Sequence, residues 1–251
     1  SSTTTISVND ASSDNNFDGV ADQTVSVSTT DDDVAGFTIV ELEGSTAVDE
    51  SGTTDTFTVV LNAQPDSDVV VAITSSDTGE ASSNSPLTFT SSNWDTAQTV
   101  TVTGVDDFLL DGTITSDLVV AIVDASSDNN FDGVADQTVS VSTTDDDVAG
   151  FTVAETEGST GVTEAGGTDT FTVVLNAQPD SDVVLSIISS DTGEATVTSS
   201  LTFTSANWDT AQTVTVTGAD DDLIDGTVSS TTTISINDAS SDNNFDGVAD
   251  Q

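Results

Sequence analysis

The segment SSDNNFDGVADQ occurs at 12–23, 126–137 and 240–251, each time 114 residues apart. Other segments keep the same offset: GFTIVELEGST (36–46) returns as GFTVAETEGST (150–160), and DTFTVVLNAQPDSDVV (55–70) returns at 169–184. NWDTAQTVTVTG (93–104) returns at 207–218, and TTDDD (29–33) at 143–147. A fixed period of this kind marks a tandem array. At 114 residues the unit is long enough to hold its own core, unlike the short repeats of solenoids. The expected division is 1–33 as the closing hairpin of a preceding repeat, 34–147 as a complete repeat, and 148–251 as a second repeat lacking most of its last strand. Residues 1–11 also match 229–239 apart from one Val/Ile exchange. This reads as a window on a longer array, or else as a subunit whose terminal segments exchange with its neighbours.

Within the unit a second period appears. Phe57, Val59 and Leu61 alternate with Thr58, Val60 and Asn62; Val100 and Val102 alternate with threonines; Val25 and Val27 alternate with serines. Period two is the mark of half-buried strands, and the Thr and Val content suits them. Seven strands are predicted in the complete repeat, at 36–41, 55–62, 68–75, 86–90, 97–104, 114–123 and 134–143. Seven short strands separated by turn residues in a unit of this length predict an all-β fold of tandem immunoglobulin-like β-sandwiches. Trp94 and Trp208 follow the fourth strand of each unit. They are read as core plugs at a sandwich corner, with sugar stacking as the alternative.

The chain carries 45 acidic residues and no Lys, Arg or His, for a formal charge of -45; Cys, Met and Tyr are absent too. Ser-His-Asp and Cys-His catalysis therefore lack a base, and Cys/His zinc sites lack ligands. Binding to nucleic acid or anionic membrane is disfavoured, because phosphate recognition needs basic side chains. No apolar run reaches the length of a membrane span. Such acidity alone would suggest disorder, but the two periods argue for a folded array.

In an up-and-down sandwich the first, third, fifth and seventh strands end at one pole. The acids follow this division: Glu41 and Glu43 after the first strand, Asp77 after the third, Asp106, Asp107 and Asp111 after the fifth, and Asp145, Asp146 and Asp147 after the seventh. Crowded carboxylates must either protonate or meet a cation, and the chain has no cation of its own. Ca²⁺, with six to eight oxygen ligands and tolerance of bridging carboxylates, suits such a set better than Mg²⁺. The competing reading is a solvated acidic surface.

FTIVE (37–41), TSSDTGEA (74–81), LTFT (87–90), TVTVTGVDD (99–107) and TTDDD (143–147) occur in an order and spacing that resembles a Calx-beta domain. That is the immunoglobulin-like calcium-binding module of sodium–calcium exchangers and of large bacterial surface proteins. The resemblance spans the whole repeat. It implies several Ca²⁺ per repeat, held by Glu41, Asp77, Asp106, Asp107, Asp111, Asp145, Asp146 and Asp147. In the second repeat it implies Glu155, Asp191, Asp220, Asp221 and Asp225. Asp31, Asp32 and Asp33 hold the place of the closing Asp run for the preceding repeat. Total loss of basic residues departs from the exchanger domains and favours a bacterial repeat array.

A second candidate site is the loop DNNFDGVAD before the last strand. Asp14, Asn16 and Asp18 stand at positions one, three and five of an EF-hand-like opening, with Gly19 at six. Asp128, Asn130 and Asp132, and Asp242, Asn244 and Asp246, repeat it. Position twelve is Val25 rather than Glu. The alternative is a turn whose Asp and Asn side chains cap their own backbone.

The functional expectation is structural: a rigid, calcium-stabilised extender of a large secreted bacterial surface adhesin or extracellular filament. Its partners would be neighbouring repeats of the same chain or filament, with lateral self-association as a further option. The alternative is an extracellular module that binds carbohydrate or a partner. Paired carboxylates can hydrolyse glycosides, but their repetition in every unit suits a mechanical part, so no enzyme is expected.

Overall fold

The computed structural model describes residues 2–251, except for the side chain of Glu43. Its first element is a hairpin of β1 (Ser2–Ile6) and β2 (Gln23–Val27), every residue of which is exposed. The first complete unit follows with β3 (Phe37–Glu41), β4 (Thr46–Asp49), β5 (Thr54–Leu61), β6 (Val69–Ser75), β7 (Ala81–Ser83), β8 (Leu87–Phe89), β9 (Gln98–Gly104), β10 (Thr113–Ile122) and β11 (Gln137–Thr144). The second has β12 (Phe151–Glu155), β13 (Thr168–Leu175), β14 (Val183–Ser189), β15 (Ala195–Val197), β16 (Ser200–Phe203), β17 (Gln212–Gly218) and β18 (Thr232–Ile236).

Each unit is a β-sandwich, as the alternation predicts. In unit one the sheets run β3-β5-β9-β7 and β4-β11-β10-β6-β8. Their facing residues form one core, with Phe57, Val59, Val69, Val71, Phe89, Val100, Leu118 and Val141 at its centre. These are the alternate positions of β5, β6, β8, β9, β10 and β11, which the pleat turns to one side. The seven predicted strands lie within a few residues of β3, β5, β6, β8, β9, β10 and β11. Two more were not predicted. β4 pairs in parallel with β11, and β7 joins the end of β9.

Unit two repeats the pattern with a difference. Its sheets run β12-β13-β17-β15 and β16-β14-β18. Among the described residues no strand lies beside β18 where β11 lies beside β10, and residues 160–163, the counterpart of β4, form no strand. A parallel edge strand has only one neighbour, so β4 cannot form where that neighbour is missing.

The units meet through the loop after β9. The Phe108 carbonyl accepts from the Gln178 amide at 2.7 Å, and Leu109 forms a parallel bridge with Gln178. The Leu110 carbonyl accepts from Asn244 Nδ2 at 2.7 Å, and its side chain packs on the unit-two core. The Phe108 ring lies 5.5 Å from that of Trp208, inclined by 44°.

Candidate metal centre

The acid-rich pole of unit one is built by backbone contacts that force carboxylates together. β4 runs beside β11, and the ladder continues with the Glu50 amide donating to the Thr144 carbonyl at 3.0 Å. Gly104 permits this path, since a Cβ there would stand 2.1 Å from the Asp49 carbonyl oxygen. Glu50 is thereby turned inward and is only 1% exposed. Asp77 shapes the next approach: its Oδ1 accepts from the Gly79 amide and its carbonyl from the Ala81 amide. Between these positions sits Glu80, 5% exposed. Asp111 is fixed to the end of β11, because the Gly112 amide donates to Asp145 Oδ2 at 2.9 Å and the Asp145 amide donates to the Gly112 carbonyl. Asp145 Oδ1 then accepts from the Asp147 amide at 2.7 Å.

Two carboxylate groups result. Oxygens of Glu50, Asp145 and Asp147 lie within 4.8 Å of one another, and so do oxygens of Glu50, Glu80 and Asp111. Glu50 belongs to both. One oxygen each of Glu50, Glu80, Asp111 and Asp147 is buried without a hydrogen-bond partner. Such orphaned oxygens are rare in native proteins and call for a proton or a cation. Burial first, then the charges of Asp107, Asp145, Glu80 and Asp111, push the Glu50 carboxyl up to about 7. Burial likewise raises Glu80, Asp111 and Asp147, with Asp111, Asp107 and Asp145 respectively the largest charged contributors. Oxygen-only clusters of this density can hold a hard divalent ion.

Of the acids expected from sequence, Asp111, Asp145 and Asp147 enter these groups. Asp106, Asp107 and Asp146 stand around them and act on Asp147 through charge, while Asp107 Oδ1 also accepts from the Leu109 amide. Glu41 closes β3 and accepts from Thr46 Oγ1 at 3.2 Å, outside both groups. Asp77 shapes the Glu80 turn rather than joining the triads. Glu50 and Glu80 were not anticipated. A signal for them exists: an acid stands at both places in both units, as Glu50 and Glu164, and as Glu80 and Glu194.

Unit two gathers Glu164, Glu194 and Asp225, the counterparts of Glu50, Glu80 and Asp111, with oxygens within 4.8 Å of one another. Burial, then Asp225, Glu164, Asp191 and Asp221, raises the Glu194 carboxyl. Glu155 accepts from Thr160 Oγ1, Asp191 from the Gly193 amide, and Asp221 from the Leu223 amide. Asp220 stands beside Asp221 at the end of the same segment. Asp31, Asp32 and Asp33 are exposed on the segment after the first hairpin, with Asp31 Oδ1 accepting from the Asp33 amide.

The DNNFDG loop is a self-capped turn. Asp128 Oδ1 accepts from the Asn130 amide, and Oδ2 accepts from the Asp66 and Ser67 amides at 2.6 and 3.0 Å. These backbone donors, Asn130 first, hold its carboxyl below the usual range. Asp132 caps the end of the same short 3-10 turn. Asp14, Asn16 and Asp18 repeat the geometry, with Asp14 accepting from the Asn16 amide. Among the described residues no group of three carboxylates forms at this loop. Asn244, its counterpart in unit two, serves the joint between units.

No protein-family profile and no characterised protein matches the chain. Solved structures with likeness include the calcium binding domain CBD12 of CALX1.1, 17% identical over 79% of this chain and 80% of that one, with a TM-score of 0.31. CBD12 from CALX1.2 is 16% identical over 78% and 79% of the two chains, with a TM-score of 0.31. Domains 4–9 of the surface layer protein SbsC are 19% identical over 86% of this chain and 31% of that one, with a TM-score of 0.32. At these values none of the three fixes the function of this chain.

Proposed function

We propose that the chain is a calcium-stabilised structural segment, a rigid extender of a large secreted bacterial surface adhesin or extracellular filament. The observation that carries this reading is Glu50: a buried carboxylate, shared by two triads, in a chain without a single basic residue. Ca²⁺ held among Glu50, Glu80, Asp111, Asp145 and Asp147 would give the orphaned oxygen of Glu50, and those of Glu80, Asp111 and Asp147, the partner they lack. Mg²⁺ fits less well, since it keeps its waters and is seldom caged by protein alone.

Stiffness follows from placement. The loaded pole of unit one lies against the joint: Asp111 follows directly on Leu110, which packs on unit two, and Asp180 of unit two contributes to the raised Asp111 carboxyl. A cation at Asp111 would neutralise that repulsion and hold the joint. Repetition, absence of basic protease targets and absence of oxidisable Cys and Met suit service outside the cell. No described helix is long and apolar enough to cross a membrane. In this reading the chain catalyses nothing. The carbohydrate-binding alternative gains no support from the tryptophans, because Trp94 packs on its own core and Trp208 meets Phe108.

The test is thermal unfolding at constant ionic strength with millimolar Ca²⁺, with Mg²⁺, and with EDTA. Ca²⁺ is expected to raise the melting temperature by tens of degrees and Mg²⁺ by far less. Equal melting in all three would leave the acids as a solvated surface and remove the proposal.

A further inference from the structure

The chain holds no Cys, no Met and no Asn-Gly step, but it holds five Asp-Gly steps. An Asp before Gly is open to attack by its own backbone: the Gly amide nitrogen can close on the Asp Cγ, because Gly has no Cβ to hinder the approach. Whether a given step reacts depends on what holds its two halves.

The two Asp-Gly steps of unit one are held differently. The Gly112 amide donates to Asp145 Oδ2 at 2.9 Å, and Asp111 belongs to a carboxylate group. Attack there must first break that hydrogen bond. In the DNNFDG loop the Asp132 and Val134 amides donate to the Asn129 and Phe131 carbonyls, whereas the Gly133 amide between them donates to nothing among the described residues. Asp132 and Gly133 are both exposed, and a Cβ at Gly133 would meet nothing within 4 Å. Asp246–Gly247 repeats these features in unit two. Steps to serine are closed. The Ser67 and Ser181 amides, after Asp66 and Asp180, donate to Asp128 and Asp242. The Asn84 carboxamide, before Ser85, is engaged with the Thr99 carbonyl and the Thr101 amide.

We propose that Asp132–Gly133 and Asp246–Gly247 are sites of spontaneous isoaspartate formation, and that the change at 246 loosens the joint between the units. The Gly nitrogen forms a bond to the Asp Cγ, and one Cγ–O bond breaks. That oxygen leaves as water, with the amide proton and one proton from the medium. Water then opens the five-membered imide and returns the proton. Opening between the Gly nitrogen and the original backbone carbonyl carbon routes the main chain through Cγ and leaves the old carbonyl as a free carboxylate. The mass is unchanged, and no oxidant, reductant or enzyme is required.

The product lengthens the main chain by one carbon between two anchored residues. Phe245 is fully buried and Val248 packs on the same core. The hydrogen bond from the Val248 amide to the Phe245 carbonyl, 3.1 Å, spans the altered residue. Asp242 remains tied to the Ser181 amide, so the displacement falls on 243–247. Within that stretch Asn244 Nδ2 donates to the Leu110 carbonyl across the joint at 2.7 Å. The loop would lose its hold on Leu110 while the core of unit two stays closed. None of this rests on the calcium reading.

The test ages the full chain at neutral pH in a Gly19→Ala background, which removes the third copy of the loop from the readout. Peptides are mapped by mass spectrometry with fragmentation that distinguishes the two linkages; Val123 and Asn237, just ahead of the loops, tell their peptides apart. Isoaspartate is expected at 132 and 246, at unchanged mass, and not at 111. Gly133→Ala/Gly247→Ala should lose most of it. Neither glycine has a left-handed φ and both face open space, so this variant should melt like its parent. No isoaspartate in either loop, equal amounts at 111 and 132, or the same yield in the alanine variant would each overturn the assignment. Electron spin resonance distances between labels on the two units test the consequence. They should broaden with the fraction modified at 246 and stay narrow in the aged alanine variant. Unchanged distances in chains that carry the modification would overturn the loosening of the joint.

Discussion

The acid poles of the two units hold the same three side chains at the same three places, yet they differ in depth. In unit one Glu50 and Glu80 are buried, and Asp145 and Asp147 join them; in unit two Glu164 and Glu194 are half-buried, and the group stops at three carboxylates. The difference traces to one strand. β11 leads directly into Asp145 and Asp147, covers Phe57 and Val102, and provides the edge on which β4 forms and delivers Glu50. One β-strand therefore sets the core and the charge of the site together. A unit that lacks it keeps the turn geometry that gathers carboxylates but loses the cover that makes their charge costly.

The largest expected effect separates the units directly. Calorimetry of the full chain in EDTA and in Ca²⁺ should show the unit-one transition rising by about 20 °C or more, as two sites at a hundredfold ligand excess each add about 2.7 kcal/mol. The unit-two transition should rise by less than half as much, since its group stops at three carboxylates. Equal shifts would mean that β11 does not matter to the metal. Next in size is Glu50→Gln, whose sign depends on the metal. With Ca²⁺ present it should remove most of the unit-one gain, because both triads lose their shared member. In EDTA at pH 8 the same variant should stabilise unit one, on the order of 2 kcal/mol, by deleting a buried charge that has no partner. Glu194→Gln in unit two, where burial and then Asp225 raise the carboxyl, should show the same reversal, smaller in both directions.

The pH dependence follows from the same carboxyl. Glu50 titrates near 4.5 when unfolded and near 7 in the metal-free fold. Its folded value is raised, so the stability it allows is fully present below about 4.5 and is lost as pH climbs to about 7. Metal-free protein should therefore melt at a higher temperature at pH 5 than at pH 8. With Ca²⁺ bound, the ligand carboxyls are held ionised, and acid removes stability instead. Acid and chelator thus act alike on the loaded protein, whereas acid relieves the chelated one. Melting curves at pH 5, 6, 7 and 8 with and without EDTA should cross; parallel curves would show that Glu50 does not feel its neighbours.

The sandwich was legible in the sequence because alternation in β5, β6 and β9 is local and nearly strict. The pole was legible because strand ends carry its acids. What escaped shares a cause. β4 and β7 are four and three residues long, and each exists by its partner: β11 lies some ninety positions away, and β7 rests on Gly104. No pattern within TAVD or ASS marks a strand. Glu50 directly follows β4 and Glu80 directly precedes β7, so the two unseen strands carried the two unseen ligand candidates. The DNNFDG loop left both of its readings open. Its spacing suggested a cation, but Asp128 gives both oxygens to backbone amides. Three donors on one carboxylate satisfy it locally, and spacing alone does not distinguish that outcome from metal ligation.

The smallest expected effect lies at the joint, where the comparison between units can be sharpened by one residue. Phe108 meets Trp208 in unit two, but the counterpart of Phe108 on the second finger is Asp222. An aromatic pair of this geometry is worth about 0.5–1.5 kcal/mol beyond its buried area. Phe108→Asp should therefore leave the melting of each unit within about 1 kcal/mol of the parent, because Phe108 is more than half exposed and belongs to neither core. It should broaden the distribution of distances between labels placed on the two units, measured by electron spin resonance in Ca²⁺. If Phe108→Asp leaves the distances unchanged, the hydrogen bonds to Gln178 and Asn244 hold the joint without the rings, and the two fingers are mechanically equivalent despite their different tips.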